Sequence, residues 1–400
     1  MYDTFQPVQP VQQASAIPLS SAEPRRVCLL SDDLSGPPDE GVKKVTLQLA
    51  AALAPHHHVS LLSTTPTSQG SAARYVPAPR TFLSRSLRAE LRRLQPDVLI
   101  YATRRSATFN SFLRARLLKR YCPTATLVLL ALQTRRHPAW QQRLIRHLLP
   151  DLAGVQSGAN RDYLTGLGCH VTLVRGGVDS AAFQPVDEAR RQLLRARYGL
   201  RDDLPVVLHV GHLHRERGVG VLAALASGHE CQVVLVASSS TPQEADIGDE
   251  LRAAGVTLLT TYLPHIEELY QLADCYVFPV LSTDAAIELP LSVLEALACD
   301  LPVVTTRFGG LPQAFANAPS EGLVFIDSPQ ELVTEALRLC REDSGSTRPL
   351  ALPFAWEAVA ADLLAQALAI RGEPNGRAVE IEGLSQGETP WAGEVSHAGQ

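Results

Sequence analysis

Apolar residues in this chain come in short continuous runs rather than in alternation. RVCLLSD (26–32), VSLLST (59–64), DVLIYA (97–102), TLVLLAL (126–132) and VTLVRG (171–176) form one series. PVVLHVG (205–211), CQVVLVA (231–237), VTLLTTY (256–262), CYVFPV (275–280), PVVTT (302–306) and GLVFID (322–327) form a second. A strand with one wet face alternates apolar and polar positions, whereas unbroken Val, Leu and Ile runs suit parallel strands covered on both faces. Stretches of helical period lie between the runs, at 41–54, 85–94, 108–120, 139–148 and 266–273. A charged helical stretch around 187–199 separates the two series. This succession predicts an α/β chain with two doubly wound, Rossmann-like domains.

Bulk properties agree with that reading. Four hundred residues exceed what one core ordinarily serves, and 46% hydrophobic with 19% charged residues is a globular composition. No apolar run approaches the ~20 residues of a membrane span, and no basic-then-apolar leader opens the chain, so a cytoplasmic protein is expected. The seven cysteines (28, 122, 169, 231, 275, 299 and 340) are odd in number, scattered and never C-x-x-C. They read as reduced thiols rather than as disulfides or a zinc site. The net charge of −5 hides an asymmetry: residues 25–150 carry 20 Lys and Arg against 6 Asp and Glu, and residues 151–400 carry 16 against 33. The first half is therefore expected to meet something anionic. Within it, FLSRSLRAELRRL (82–94) sets Arg85, Arg88, Arg92 and Arg93 beside a leucine face. Two readings stand: a solvated helix packed on the sheet, or a helix docking on anionic lipid or a phosphorylated acceptor.

Ligands of doubly wound sheets sit beyond the C-terminal ends of the strands, which directs attention to the residues that follow each run. After the first run, SDDLSGPPDEGVKKV leads into a helix, and Gly41 near its start would let an anion approach the backbone; an ordinary connecting loop reads the same way. After PVVLHVG, Gly211 and Gly218 bracket His212, His214, Arg215 and Arg217. Such a turn can hold a diphosphate, with Arg217 as a bidentate partner, or can be a solvated basic loop. In ELPLSVLEALAC (288–299), Ser292 and Glu295 fit a capping box. Glu295 also stands past a strand end, where a carboxylate accepts from vicinal ribose hydroxyls. Gly309 and Gly310 make a turn after PVVTT, and Arg104, Arg105, Arg135 and Arg136 follow strand ends of the first series. A nicotinamide-linked oxidoreductase is disfavoured, since no G-x-G-x-x-G follows the first run and SLLSTTP supplies no acid at the end of the second.

Taken in order, several segments resemble the GT-B glycosyltransferases of retaining family 4, the glycosyl transferases group 1. They are DEGVKKV (39–45), VTLVRGGVDSAAFQP (171–185), VVLHVGHLHRERGVGVL (206–222), the stretch 265–312 and PFAWEAVAADLL (353–364). The resemblance spans residues 25–371 and includes a hinge signature at Gly176, Gly177, Val178, Asp179, Phe183 and Pro185. It implies a GT-B fold of two Rossmann-like domains facing across a cleft. The expected division is a tail (1–24), an acceptor domain (25–180), a nucleotide-sugar domain (181–352), a helix returning to the first domain (353–371) and a second tail (372–400). The implied reaction moves a sugar from a UDP- or GDP-linked donor to a glycan, lipid-linked or small-molecule acceptor, as in polysaccharide biosynthesis. Retention of configuration is implied, with no metal, no further cofactor and no nucleic acid; the basic first domain adds the expectation of peripheral contact at the inner face of a membrane. Carried over, Arg217, Glu288 and Glu295 are the catalytic residues. Gly211, His212, Leu291, Gly309, Gly310 and Leu311 join them around the donor, and Gly41, Lys44, Arg104, Gln133 and Arg135 stand on the acceptor side. Two positions depart from the family pattern: His212 replaces an arginine, and Ile287 replaces the first of two glutamates, leaving Glu288 or Asp284 to meet the sugar. These departures motivate the alternative of a non-catalytic GT-B-fold binding or scaffold protein with a degenerate donor site.

Overall fold

The computed structural model describes residues 23–68, 71–103, 107–133, 135–239, 243–282, 286–316 and 321–370. The two expected tails, apart from residues 23 and 24, lie outside the described residues, as do Arg104, Arg105 and Asp284. Among the described residues, the first sheet has seven parallel strands: β1 (Arg26–Ser31), β2 (His58–Ser63), β3 (Arg74–Tyr75), β4 (Val98–Ala102), β5 (Thr126–Leu130), β6 (Leu152–Val155) and β7 (Val171–Leu173). Their order is β3-β2-β1-β4-β5-β6-β7. Helices α1 (Gly41–Leu53), α2 (Arg85–Leu94), α3 (Phe109–Tyr121), α4 (Ala139–Ile145) and α5 (Gly158–Gly166) connect them.

The second sheet, in the order β10-β9-β8-β11-β12-β13, holds β8 (Val206–Gly211), β9 (Gln232–Ala237), β10 (Thr257–Leu259), β11 (Cys275–Phe278), β12 (Val303–Thr306) and β13 (Leu323–Ile326). Helix α6 (Glu188–Arg197) leads into it. Its connections are α7 (Val221–Ser227), α8 (Ala245–Ala253), α9 (Glu267–Leu272), α10 (Leu291–Ala298) and α11 (Leu311–Ala314). After β13 come α12 (Pro329–Leu339), α13 (Arg348–Ala351) and α14 (Trp356–Ala369).

Every apolar run of the sequence becomes a strand, and the central strands are covered on both faces. Val27, Leu29, Val98, Ile100, Val128 and Leu130 pack toward α1 and α14. Their neighbours Cys28, Leu30, Leu99, Tyr101, Leu127 and Leu129 pack toward α2, α3 and α4. Strands β3 and β6 were not among the expected runs: Arg74–Tyr75 is only two residues long, and Leu-Ala-Gly-Val has a single β-branched residue. In α2, Leu87 and Leu91 are buried against the sheet and the four arginines point outward, as a solvated helix packed on the sheet requires.

In each sheet the strand order reverses beside the first strand, between β1 and β4 and between β8 and β11. Crevices beyond the strand ends at these two switch points face one another. Backbone and side chains join the two domains around the resulting cleft. Ser239 donates through its N–H (2.7 Å) and hydroxyl (2.8 Å) to Asp39, Gly158 N–H donates to Gln313 Oε1 at 2.7 Å, and Leu289 N–H donates to Gln156 Oε1 at 3.1 Å.

The last helix ties the ends of the chain together. Trp356, Val359, Leu363 and Leu364 of α14 enter the core of the first domain beside Leu49 and Leu53. Their entry point is fixed where Val178 N–H donates to Phe354 C=O at 2.8 Å, next to a parallel bridge between Val178 and Ala355. Gly177 lies flat on the Trp356 indole, where an added Cβ would stand 2.2 Å from Cδ2. Trp356 is buried and cannot retreat. Gly177→Ala is therefore expected to destabilise the chain by ~1–3 kcal/mol through overpacking, read as a lower midpoint in urea at unchanged slope.

Candidate active site in the cleft between the sheets

A cavity of about 590 Å³ fills the cleft. Its second-domain wall is built from residues at strand ends: Gly211 closing β8 and His212 after it, Ser238 after β9, and Thr261 and Tyr262 after β10. Leu291, Ser292 and Glu295 of α10 complete that wall. The first domain contributes Asp39, Glu40, Gly41, Val42 and Lys44 at the start of α1, and Gln133 after β5. Of the residues expected at a donor, Gly211, His212, Arg217, Leu291 and Glu295 line this cavity, and Gly41, Lys44 and Gln133 face them.

Arg217 ends a single 3-10 turn, Arg215–Arg217, closed by Gly218 in the left-handed region (φ 69°). That conformation and the Pro279 carbonyl, 2.4 Å from where a Cβ would stand, both require glycine at 218. Arg217 is 8% exposed, and burial lowers its pKa to about 10, which still leaves it charged at neutral pH. Among the described residues its hydrogen-bond partner is an imidazole: Arg217 Nη2 donates to His212 Nδ1 at 3.2 Å, and no carboxylate pairs with it. His212 is brought down to about 4, by burial first and by the Arg217 charge second, so its ring is neutral and its lone pair accepts. His209 behaves alike. It is fully buried, its Nδ1 donates to the Val277 carbonyl at 2.9 Å, and burial lowers its pKa to about 4. Two neutral imidazoles thus stand beside a buried cation and leave its charge intact.

Glu295 has the opposite surroundings. It is 3% exposed, and both oxygens are engaged: Oε1 pairs with Lys44 Nζ across the cleft, and Oε2 accepts from the Tyr270 hydroxyl at 2.9 Å. The Tyr270 pKa is raised well above its ordinary value by burial and then by the Glu295 charge, so the phenol stays a donor. Phe183 lies beneath the group, 5.2 Å from the Lys44 ammonium and 5.5 Å from the Tyr270 ring, centroid to centroid. The capping-box reading does not hold here. Helix α10 begins at Leu291 behind Pro290, which puts Ser292 inside the first turn with no side-chain cap.

Several expected residues stand elsewhere. Ile287 turns into the cavity and packs against Gly41, whereas Glu288, next along a bent loop, lies outside the cavity lining. Its Oε1 accepts from Asn160 Nδ2 of α5, its N–H donates to Leu132 C=O at 3.1 Å, and burial raises its pKa. Gly309 and Gly310 lie under the backbone of Glu288 and against Gln156, where a Cβ would come 2.3 Å from Glu288 O and 2.2 Å from Gln156 O. Their role here is close contact at the domain seam. Leu311 is fully buried in the second-domain core, and Arg135 is exposed outside the cavity lining. Arg104 lies outside the described residues. Tyr270 and His209 were not foreseen, because each sits within an apolar element with no turn or glycine to mark it.

The two histidines make stability pH-dependent. Each has a folded pKa (about 4) below its ordinary value of 6.5, so its contribution is complete above pH 6.5 and drains as pH falls toward 4. The thermal midpoint is expected to drop through that window. His212→Asn, which keeps an acceptor for Arg217 but cannot titrate, should fall less steeply in parallel melts from pH 7 to 4.

Comparison with known proteins places this geometry. The family model described as glycosyl transferases group 1 matches residues 204–342. Alpha-maltose-1-phosphate synthase of Mycolicibacterium smegmatis is 27% identical over 215 residues, covering 50% of this chain and 54% of that protein. D-inositol 3-phosphate glycosyltransferase of Segniliparus rotundus is 31% identical over 237 residues, covering 54% and 51%. The chain spans about half the length of the curated relatives it matches. Among solved structures, sucrose-phosphate synthase from Thermosynechococcus elongatus superposes with a TM-score of 0.67 at 18% identity, over 87% of this chain and 100% of that one. Anabaena HepE in complex with UDP and glucose superposes with a TM-score of 0.66 at 14% identity, over 86% and 99%. The chain thus has the GT-B fold, and residues 204–342, within its second domain, match the glycosyl transferases group 1 model.

Proposed function

We propose that this chain transfers a sugar from a nucleotide-diphosphate sugar to an acceptor hydroxyl, with retention and without a metal. The carrying observation is Arg217: a buried cation, unpaired with any described carboxylate, on the wall of the same cavity as Glu295. Burying an uncompensated charge costs several kcal/mol, and such groups concentrate where an anion binds. The diphosphate lies at Arg217 and the backbone of Gly211 and His212. The ribose hydroxyls donate to Glu295 Oε1 once Lys44 releases it, and the freed ammonium turns toward the phosphates. The acceptor oxygen, on the side of Gly41 and Gln133, forms a bond to the anomeric carbon as the bond to the β-phosphate oxygen breaks. The acceptor's proton passes to the departing phosphate. Fixed positive charge at the leaving group supplies the stabilisation. The UDP in the HepE complex supports a UDP-linked donor, and the names of the curated relatives support an acceptor or product that carries a phosphate.

One observation favours a second reading, a binding protein with a degenerate donor site: Ile287, not an acid, faces the cavity where the transferred sugar would lie. Two measurements separate the readings. UDP or GDP is expected to raise the thermal midpoint, since a ligand of the native state alone must do so. Release of free nucleotide from its sugar conjugate is expected with an acceptor present. Arg217→Ala should abolish the midpoint shift and lower turnover by about 10²–10³-fold. A shift without turnover for any donor selects the binding protein, and no shift with any nucleotide removes both readings.

A further inference from the structure

Helices α2, α3 and α4 form one layer over the first sheet, and the outer surface of that layer is chemically unlike the rest of the molecule. Residues 98–150 contain ten Lys and Arg and no Asp or Glu. The acid on α2, Glu90, is buried and held by Arg93 (2.7 Å) and Arg74 (3.2 Å), so the three helices present no free carboxylate. Arg116 and Arg120 of α3, and Arg143 and Arg146 on and beside α4, are exposed and make no ion pair among the described residues.

An apolar ridge runs through this basic field. Trp140 is 59% exposed, Leu144 47% and Leu113 42%. Trp140 and Leu144 share one face of α4 at i,i+4 spacing, and Phe109 and Leu113 share one face of α3. The two faces meet where the Phe109 and Trp140 rings lie 5.9 Å apart between centroids. A solvated surface gains nothing from an exposed tryptophan and two leucines on adjoining turns. A bilayer interface takes up such a ridge, with the indole at headgroup depth and guanidinium groups on anionic lipid phosphates.

We propose that the α3–α4 ridge is a docking surface for an anionic lipid bilayer. Both helices start at the C-terminal ends of their strands, so Phe109 and Trp140 stand at the cleft side of the domain, with Trp140 seven residues past Gln133 of the cavity lining. A docked chain would meet membrane-borne molecules at the mouth of the cavity. No helix among the described residues is long and apolar enough to cross a membrane, so contact through this surface is peripheral. The docking stands independently of the donor reading, because it needs no nucleotide.

The test is sedimentation of the full chain with vesicles of phosphatidylcholine alone or mixed with phosphatidylglycerol, without nucleotide. Binding is expected to the mixed vesicles only and to weaken with salt. R143E/R146E and W140S/L144S should each reduce the bound fraction's partition coefficient at least about tenfold, with unchanged melting temperature and unchanged response to UDP. In a W391F background, emission from Trp140 should shift to the blue on adding mixed vesicles, while buried Trp356 gives a constant signal. Absence of binding at low salt overturns the proposal. So does release by charge reversal with no effect of W140S/L144S, which marks an acidic macromolecule instead. A vesicle-free dimer that W140S/L144S converts to monomer also overturns it, by making the ridge a contact between copies.

Discussion

Two buried charges of opposite sign share one cavity, and they are balanced in opposite ways. Glu295 is saturated by an ammonium and a phenol, and the ammonium comes from the other domain. Arg217 has a neutral imidazole and no described carboxylate. In a medium of low dielectric, a paired charge can be carried inside, whereas an unpaired one raises the free energy of the ligand-free state. The Lys44–Glu295 contact therefore holds the domains together in the absence of ligand, and Arg217 keeps the cavity receptive to an anion.

This arrangement gives a physical link between binding and domain contact. A ligand with vicinal hydroxyls competes with Lys44 for Glu295 Oε1, and one with phosphates offers Lys44 a new partner. The contacts that remain, Asp39 with Ser239 and Gln156 with Leu289, involve no net charge transfer across the seam and would persist through such an exchange. Gly309 and Gly310 matter to the same seam. Only glycine lets the loop after β12 slide beneath Glu288 and against Gln156, so those glycines set how closely the domains approach.

The first domain separates its chemistry by face. Its strand ends and α1 address the cavity, α1 and α14 close one side of the sheet, and α2 to α4 turn a basic and partly apolar surface outward. A charge asymmetry visible in composition thus resolves into a location. The excess cations are concentrated on an outer layer rather than in the cleft, where Lys44 is the first-domain cation on the cavity lining among the described residues.

The sequence by itself determined the strands other than β3 and β6, their parallel pairing and the position of the basic turn at Arg217, because burial on both faces and Gly-bracketed turns are local properties written in composition and period. It also carried Glu295 and Lys44 as members of a site, though not as partners. Tertiary structure alone decided which way Glu288 faces: Ile287 found its apolar contact at Gly41, and Asn160 of the first domain took the Glu288 carboxylate. It alone showed that His212 holds Arg217, that Tyr270 reaches Glu295, and that Trp140 and Leu113 form one ridge. Each of these joins residues on separate elements, and no local period can encode a distance that only packing sets.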